Sequence, residues 1–264
     1  MNFREKFAIQ KNITYELVRK SIKTQYRNSV LGMLWTVLNP LLNMLVMWLV
    51  FSRFFGDGDE LYPIYLLTGN ILFACLRSAT EGSLGSIVNN RDLITRIRVE
   101  SHMFPLSSTI ASLVTFGFSM IALLLIMAGM QIFGGYQIFK VEILLVLLMI
   151  PAFVLFELGI GLFLSALYVY ARDVKYLYSV FLTLWTYATP VFYKVERLSG
   201  STFGNLIKFN PMFHFLNFFR SATYLGFDGM FWKQMLIMYG CALASMLIGT
   251  VVFKLLKKNF VMNI

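Results

Sequence analysis

The sequence predicts an all-α integral membrane protein. Six membrane-spanning helices follow an N-terminal amphipathic interfacial helix, and short re-entrant helices precede the last span. Three observations predict this. The chain of 264 residues is 58% hydrophobic and only 14% charged, whereas soluble domains carry about 25% charged residues. Its mean hydropathy is +0.69, and the polar residues cluster so that long apolar runs remain, each near the length a helix needs to cross the hydrocarbon core. Dyad alternation, the mark of barrel strands, is absent.

The spans fall at about 31–55, 62–87, 104–132, 143–170, 177–193 and 234–256, the fifth being marginal in length. This divides the chain into an interfacial segment, 1–30, and a transmembrane region, 31–264. About 30 polar-rich residues precede the first apolar run, so a cleaved secretory signal is not expected.

Orientation follows from Lys and Arg. Seven lie before the first span, three in the second-to-third loop (Arg91, Arg96, Arg98), two in the fourth-to-fifth loop (Arg172, Lys175) and three in the tail (Lys254, Lys257, Lys258). The first opposite loop reads "GDGDE". Positive residues stay inside, so both termini are expected in the cytoplasm. Five basic residues from Lys194 to Lys233 oppose the rule in an aromatic-rich segment, "FNPMFHFLNFFRSATYLGF". Residues 211–224 are therefore read as one or two short helices dipping into the membrane from outside. The competing reading, a further span, would place the basic tail outside.

In the N-terminal segment Tyr15, Val18, Ile22 and Tyr26 share one helical face, with Glu16, Lys20, Lys23 and Arg27 opposite. That is the pattern of a helix lying on the leaflet. In "NNRDLITRIRVESHMFP", Leu93, Ile94 and Ile97 sit among Arg91, Asp92, Arg96 and Arg98. A short mixed helix there suits a groove on a soluble partner; a plain solvated loop is the alternative. Arg77 and Glu81 are four apart and so share a face, while Glu157 stands alone in the fourth span. Intramembrane ionisable groups are expected to face protein or a polar cavity; for Glu157 a packing role is as good a reading. Asn39 and Pro40 predict a break in the first span, and Pro190 a kink or stop in the fifth.

Several chemistries lack their residues. There is no GxxxxGK[ST] phosphate loop, so ATP is not expected to bind in that manner. His102 and His214 have no companions in sequence, and Cys75 and Cys241 read as small buried residues rather than a disulfide or metal site.

Three stretches carry a family resemblance: "YRNSVLGMLWTVLNPLLNMLVMWLVF", "ARDVKYLYSVFLTLWTYATPVFY" and the Asn210–Pro211 pair before an aromatic segment. In this order they resemble the ABC-2 type polysaccharide exporters, the permease subunits for O-antigen, capsule and teichoic acid. The resemblance implies a homodimeric bacterial inner- or plasma-membrane transport subunit, not an enzyme. It implies two separate nucleotide-binding ATPase subunits, which would hold the ATP and Mg, and a glycan or polyol-phosphate cargo on a polyprenyl diphosphate. It also implies a coupling helix around 91–100, with Asn90, Arg91, Asp92, Leu93, Ile94, Ile97 and Arg98 as candidates. An external gate follows, with Pro190, Pro211, Phe213, Phe215, Phe218, Phe219 and Tyr224. Cations facing the inner leaflet (Arg19, Lys20, Lys23 and Arg27) are candidates for the lipid diphosphate, since ammonium and guanidinium bind phosphate strongly. Two rivals remain: an ABC-2 permease for a smaller drug or lipid, and a membrane enzyme on polyprenyl-linked sugars. The latter would need clustered loop acids, where only isolated Asp92 and Asp173 occur. A passive channel lacks any ring-forming acidic or filter-like motif.

Overall fold

A computed structural model describes residues 3–25, 31–55, 59–97, 99–136, 138–195, 202–227 and 229–260. Among these the ordered elements are helical, without strands. Helix α1 (Phe3–Gln25) is followed by α2 (Trp35–Phe55), α3 (Tyr62–Leu84), the short α4 (Arg91–Ile97) and the long α5 (Met103–Gly134). Then come α6 (Val146–Tyr170), α7 (Val174–Ala188), the one-turn α8 (Thr202–Ile207), α9 (Pro211–Arg220) and α10 (Phe231–Leu256).

The boundaries have local causes. Pro63 and Pro211 stand in the first turn of α3 and α9, where a missing N–H costs nothing. Gly135 closes α5 at φ +72° and Gly226 closes a π-turn at Ser221–Leu225 at φ +91°, both conformations that a side chain resists. Helix α7 stops at Ala188, ahead of Pro190, because the residue before a proline is held out of the helical region.

The expected break at Pro40 does not occur. Pro40 lies inside α2, which runs through it after a 3₁₀ turn at Gly32–Leu34. A proline six residues into a helix removes one bond only, to the carbonyl four residues back at Thr36. Two spans also shift: the second ends at Leu84, three residues early, and the fifth runs Val174–Ala188 instead of 177–193.

Helix α3 is the hub, with most of its side chains buried against α2, α5, α6 and α9. Helices α6 and α10 cross so closely at Gly159 and Gly249 that a Cβ on either would collide with the other's side of the crossing. Ser245, one turn before Gly249, donates to the Phe156 carbonyl at 2.9 Å. Small residues four apart let membrane helices approach to backbone contact.

Among the described residues three helices are individually long and apolar enough to cross a membrane: Met103–Gly134, Val141–Tyr170 and Phe231–Leu256. Tyr62–Leu84 with Val88–Ile94 makes a fourth if this pair, bent by 55°, is one span. Helix α7, at 15 residues, is about 22 Å long, short of the roughly 30 Å core.

Candidate functional site

Functional side chains gather in three places: one end of the bundle, the flank of α3, and the opposite end around α1 and α4.

At the first end the motif after α7 meets the motif that opens α9. Asn210 caps α9, its Oδ1 accepting from the Met212 amide at 3.0 Å, as short polar residues do at helix starts. The same oxygen accepts from the Trp185 indole at 2.8 Å. Its Nδ2 donates to Thr189 Oγ1 at 2.8 Å and to the Ala188 carbonyl at 3.3 Å. One side chain thus starts α9 and fastens it to the end of α7.

Arg220 closes the other end of α9. It is 4% exposed. Its guanidinium donates to the carbonyls of Pro190 (2.8 Å), Tyr65 (3.0 Å) and Val191 (3.4 Å) and to Thr68 Oγ1 (3.4 Å). The same group lies 3.4 Å from the centre of the Tyr65 ring, a cation–π contact strengthened by burial. Tyr62 donates to the Phe192 carbonyl at 2.7 Å, and Tyr65 to those of Pro190 and Tyr193. The non-helical turn at 189–193 would leave carbonyls orphaned in an apolar setting; Arg220 and the two tyrosines satisfy them. No sequence pattern singled out Arg220, although a charge inside "LNFFRSATY" was a visible signal.

The aromatic candidates nearby are packing residues. Phe215, Phe218 and Phe219 are fully buried. Phe215 stacks at 5.2 Å on Phe153 and 5.0 Å on Phe156, and Phe219 at 6.0 Å on Phe116. Tyr224 is buried too, whereas Phe213 and Pro211 remain partly exposed. These rings hold α9 against α5 and α6.

On the flank, Arg77 and Glu81 pair at 3.9 Å, with 39% and 45% of their side chains exposed. Arg77 also reaches Thr186 of α7 at 3.5 Å. Asn39, Asn43, Ser78 and Thr183 are exposed on the helices around it. A cavity of about 210 Å³ opens between α2, α3 and α5, where Thr36, Asn39, Ser78, Thr115 and Ser119 line it alongside apolar residues such as Trp35, Ile71 and Phe116. Within the single chain the pair, expected to face the protein interior, is not enclosed. Glu157 lies behind, fully buried beside Cys75 and Ser112. Neither of its oxygens accepts a hydrogen bond among the described residues.

At the opposite end α1 lies against α5 through Ile13, Thr14 and Leu17, Thr14 reaching Met103 Sδ at 3.2 Å. This row differs from the expected stripe, of which Tyr15 is 63% exposed and Val18 and Ile22 partly so; Tyr26 falls outside the described residues. Leu93 and Ile94 turn inward, half-buried, onto the cluster that includes Ile87, Val99, Met103 and Phe104, and Arg91 and Asp92 form the exposed face of α4. The side chain of Ile97, and Arg98 as a whole, fall outside the description. Lys20 reaches Asn90 at 3.5 Å and Arg19 pairs with Glu16 at 3.9 Å. Lys23 is exposed and Arg27 lies outside the described residues. His214 meets the Lys208 carbonyl at 2.8 Å and His102 meets Glu100 at 3.3 Å. Cys75 and Cys241 are free thiols.

Comparison with known proteins follows this geometry. The family model for ABC-2 type transporters matches residues 14–224. An O-antigen export system permease protein, RfbA, of Myxococcus xanthus is 29% identical over 81% of each chain. A permease protein of the same description from Klebsiella pneumoniae is 24% identical over 92% of each. The capsule polysaccharide export inner-membrane protein CtrC of Neisseria meningitidis serogroup A is 26% identical over 95% of this chain and 93% of that one.

Proposed function

Since the chain belongs to the ABC-2 type transporter family, we propose that it is the permease subunit of an ATP-driven exporter for a lipid-linked cell-surface polysaccharide. The observation that carries this is the half-exposed Arg77–Glu81 pair on the flank of α3. Lipid cannot cover an ion pair there, so a second polar wall must. A second copy of the chain, related by a two-fold axis, would turn both flanks inward and enclose a hydrated path. A sugar polymer needs such a path, because its hydroxyls cannot cross hydrocarbon unsatisfied. The relatives named for O-antigen and capsule export support this cargo over a small drug or lipid. The cargo would ride on a polyprenyl diphosphate.

In this reading α2, α3, α5, α6 and α10, together with α7 extended by the turn at 189–193, cross the inner membrane of a bacterium, with both termini in the cytoplasm. Two ATPase subunits hold ATP and Mg and dock on α4, whose polar face of Arg91 and Asp92 meets them while Leu93 and Ile94 pass the stroke to α1 and α5. Helix α9 closes the outer end. Lys20 and Lys23 meet the lipid diphosphate from the inner leaflet.

The test is biochemical. The permease co-purifies with an ATPase whose turnover rises with lipid-linked polysaccharide and not with phospholipid or small amphiphiles. Stimulation by the small amphiphiles alone would favour the drug or lipid permease.

A further inference from the structure

Beside α1, at the end of the bundle bearing α4, lies a cavity of about 320 Å³ that neither the polymer path nor the ATPase contact uses. Its walls come from α5, α6 and α10. The exposed or half-exposed end is polar, with Glu100, His102, Lys254 and Lys257, and Thr250 lies one turn deeper on α10. The interior is apolar, formed by Leu106, Leu158, Leu162, Met246 and Phe253. Met246 stands eight residues from Lys254 on α10, so the apolar wall extends about 12 Å from the charged rim along the helix axis.

The charges at the rim are not self-compensated. Glu100 takes Lys257 at 4.0 Å and His102 at 3.3 Å, and accepts from Gln10 at 3.4 Å. Lys254 has no carboxylate partner among the described residues and is exposed. Burial, ahead of the opposing pull of Glu100, holds His102 below the usual imidazole range, so at neutral pH it brings hydrogen bonding rather than charge. Two ammonium groups against one carboxylate leave one positive charge.

The geometry points to a resident anionic phospholipid: the phosphate between Lys254 and Lys257, and the upper part of one acyl chain along Leu106, Leu158 and Met246. A soluble anion would use the lysines and leave the apolar wall idle. A zwitterionic lipid would use the wall and leave the extra charge unanswered. Basic pockets between spanning helices on the positively charged side suit anionic headgroups, each lysine contributing about fivefold in affinity. The lysines here are distinct from the α1 cations placed against the substrate diphosphate.

The full chain, purified in neutral detergent, is titrated in native mass spectrometry with dioleoylphosphatidylglycerol and with dioleoylphosphatidylcholine. Phosphatidylglycerol is expected to be retained at least tenfold better. K254Q/K257Q should lower its retention about 25-fold, given about fivefold per lysine, with an unchanged melting temperature in lipid-free detergent. K254R/K257R should restore it, and K233Q, at the far end of α10, should leave it untouched. Equal retention of the two lipids by the unaltered chain overturns the proposal, as does an undiminished preference in the glutamine pair. Displacement by millimolar inorganic pyrophosphate would make the site one for free anions. Tighter binding of geranylgeranyl diphosphate than of phosphatidylglycerol would reassign it to the substrate's headgroup. Either result removes the resident lipid.

Discussion

The two ends of the bundle solve opposite problems. Around Arg220 and Asn210 the polar groups are buried, and each is tied to backbone or to another side chain over 2.8–3.4 Å. Around α1 and α4 the polar groups are exposed and joined by long contacts, such as Arg19–Glu16 at 3.9 Å with both side chains 67% exposed. Buried networks are stiff because breaking one contact strands its partner. Exposed ion pairs contribute little and exchange freely with water or a partner. The first end is built to hold a shape, the second to present a surface.

The sharpest way to break that contrast is Arg220→Met. It removes the guanidinium from the carbonyls of Tyr65, Pro190 and Val191; Thr68 Oγ1 still serves Tyr65 and the Tyr65 hydroxyl still serves Pro190, so Val191 is the one left without its side-chain donor. With hydrogen bonds from a charged group worth about 1.5–3 kcal/mol each, the loss should exceed about 3 kcal/mol and appear as a large drop in melting temperature in detergent. Arg220→Lys should recover only part, since one ammonium cannot spread over four acceptors. Asn210→Ala comes next. It removes the cap and the bonds from Trp185 and to Thr189, for about 2 kcal/mol; an unchanged melting temperature would mean that α7 and α9 do not hold each other.

At the other end the effects should separate from stability. Reversing the exposed face of α4, Arg91→Glu with Asp92→Lys, should shift stability by under about 0.5 kcal/mol while abolishing co-purification of the ATPase. Loss of folding instead would erase the distinction between the ends. His102 gives a smaller, pH-dependent signal. Its folded value lies below the ordinary 6.5, so the unfolded chain takes up the proton first. Its contribution is present above about pH 6.5 and fades as pH falls. The melting temperature should therefore decline slightly from pH 7 to 5, and His102→Gln should remove that part. Arg19→Ala should be smallest, within about 0.5 kcal/mol.

The sequence disclosed the helices and their approximate ends, because apolar runs and the prolines at 63, 190 and 211 act locally. It also disclosed the Asn210–Pro211 pair as important, though not why: the meeting of Asn210 with Trp185 and Thr189 joins elements more than 20 residues apart. Arg220 escaped for the same reason, since its acceptors are 29 to 155 residues away. The break expected at Pro40 does not occur: α2 runs through it and gives up the bond to Thr36. Phe215, Phe218 and Phe219, gate candidates through the resemblance, are buried against other helices, a packing set by distant residues that the segment's own sequence does not show. The inward turn of Leu93 and Ile94 was equally out of reach, being set by packing on a cluster drawn from several helices, among them Met103 and Phe104 of α5 and Phe253 of α10.

The account rests on polymer leaving the cell through this chain. The most direct measurement is surface polysaccharide in a strain deleted for the permease and complemented with the intact gene or with Arg220→Met. The deletion should strip the polymer from the surface and leave its lipid-linked form inside, the intact gene should restore export, and Arg220→Met should not. Normal surface polymer in the deletion strain, with no lipid-linked form accumulating, would contradict the account.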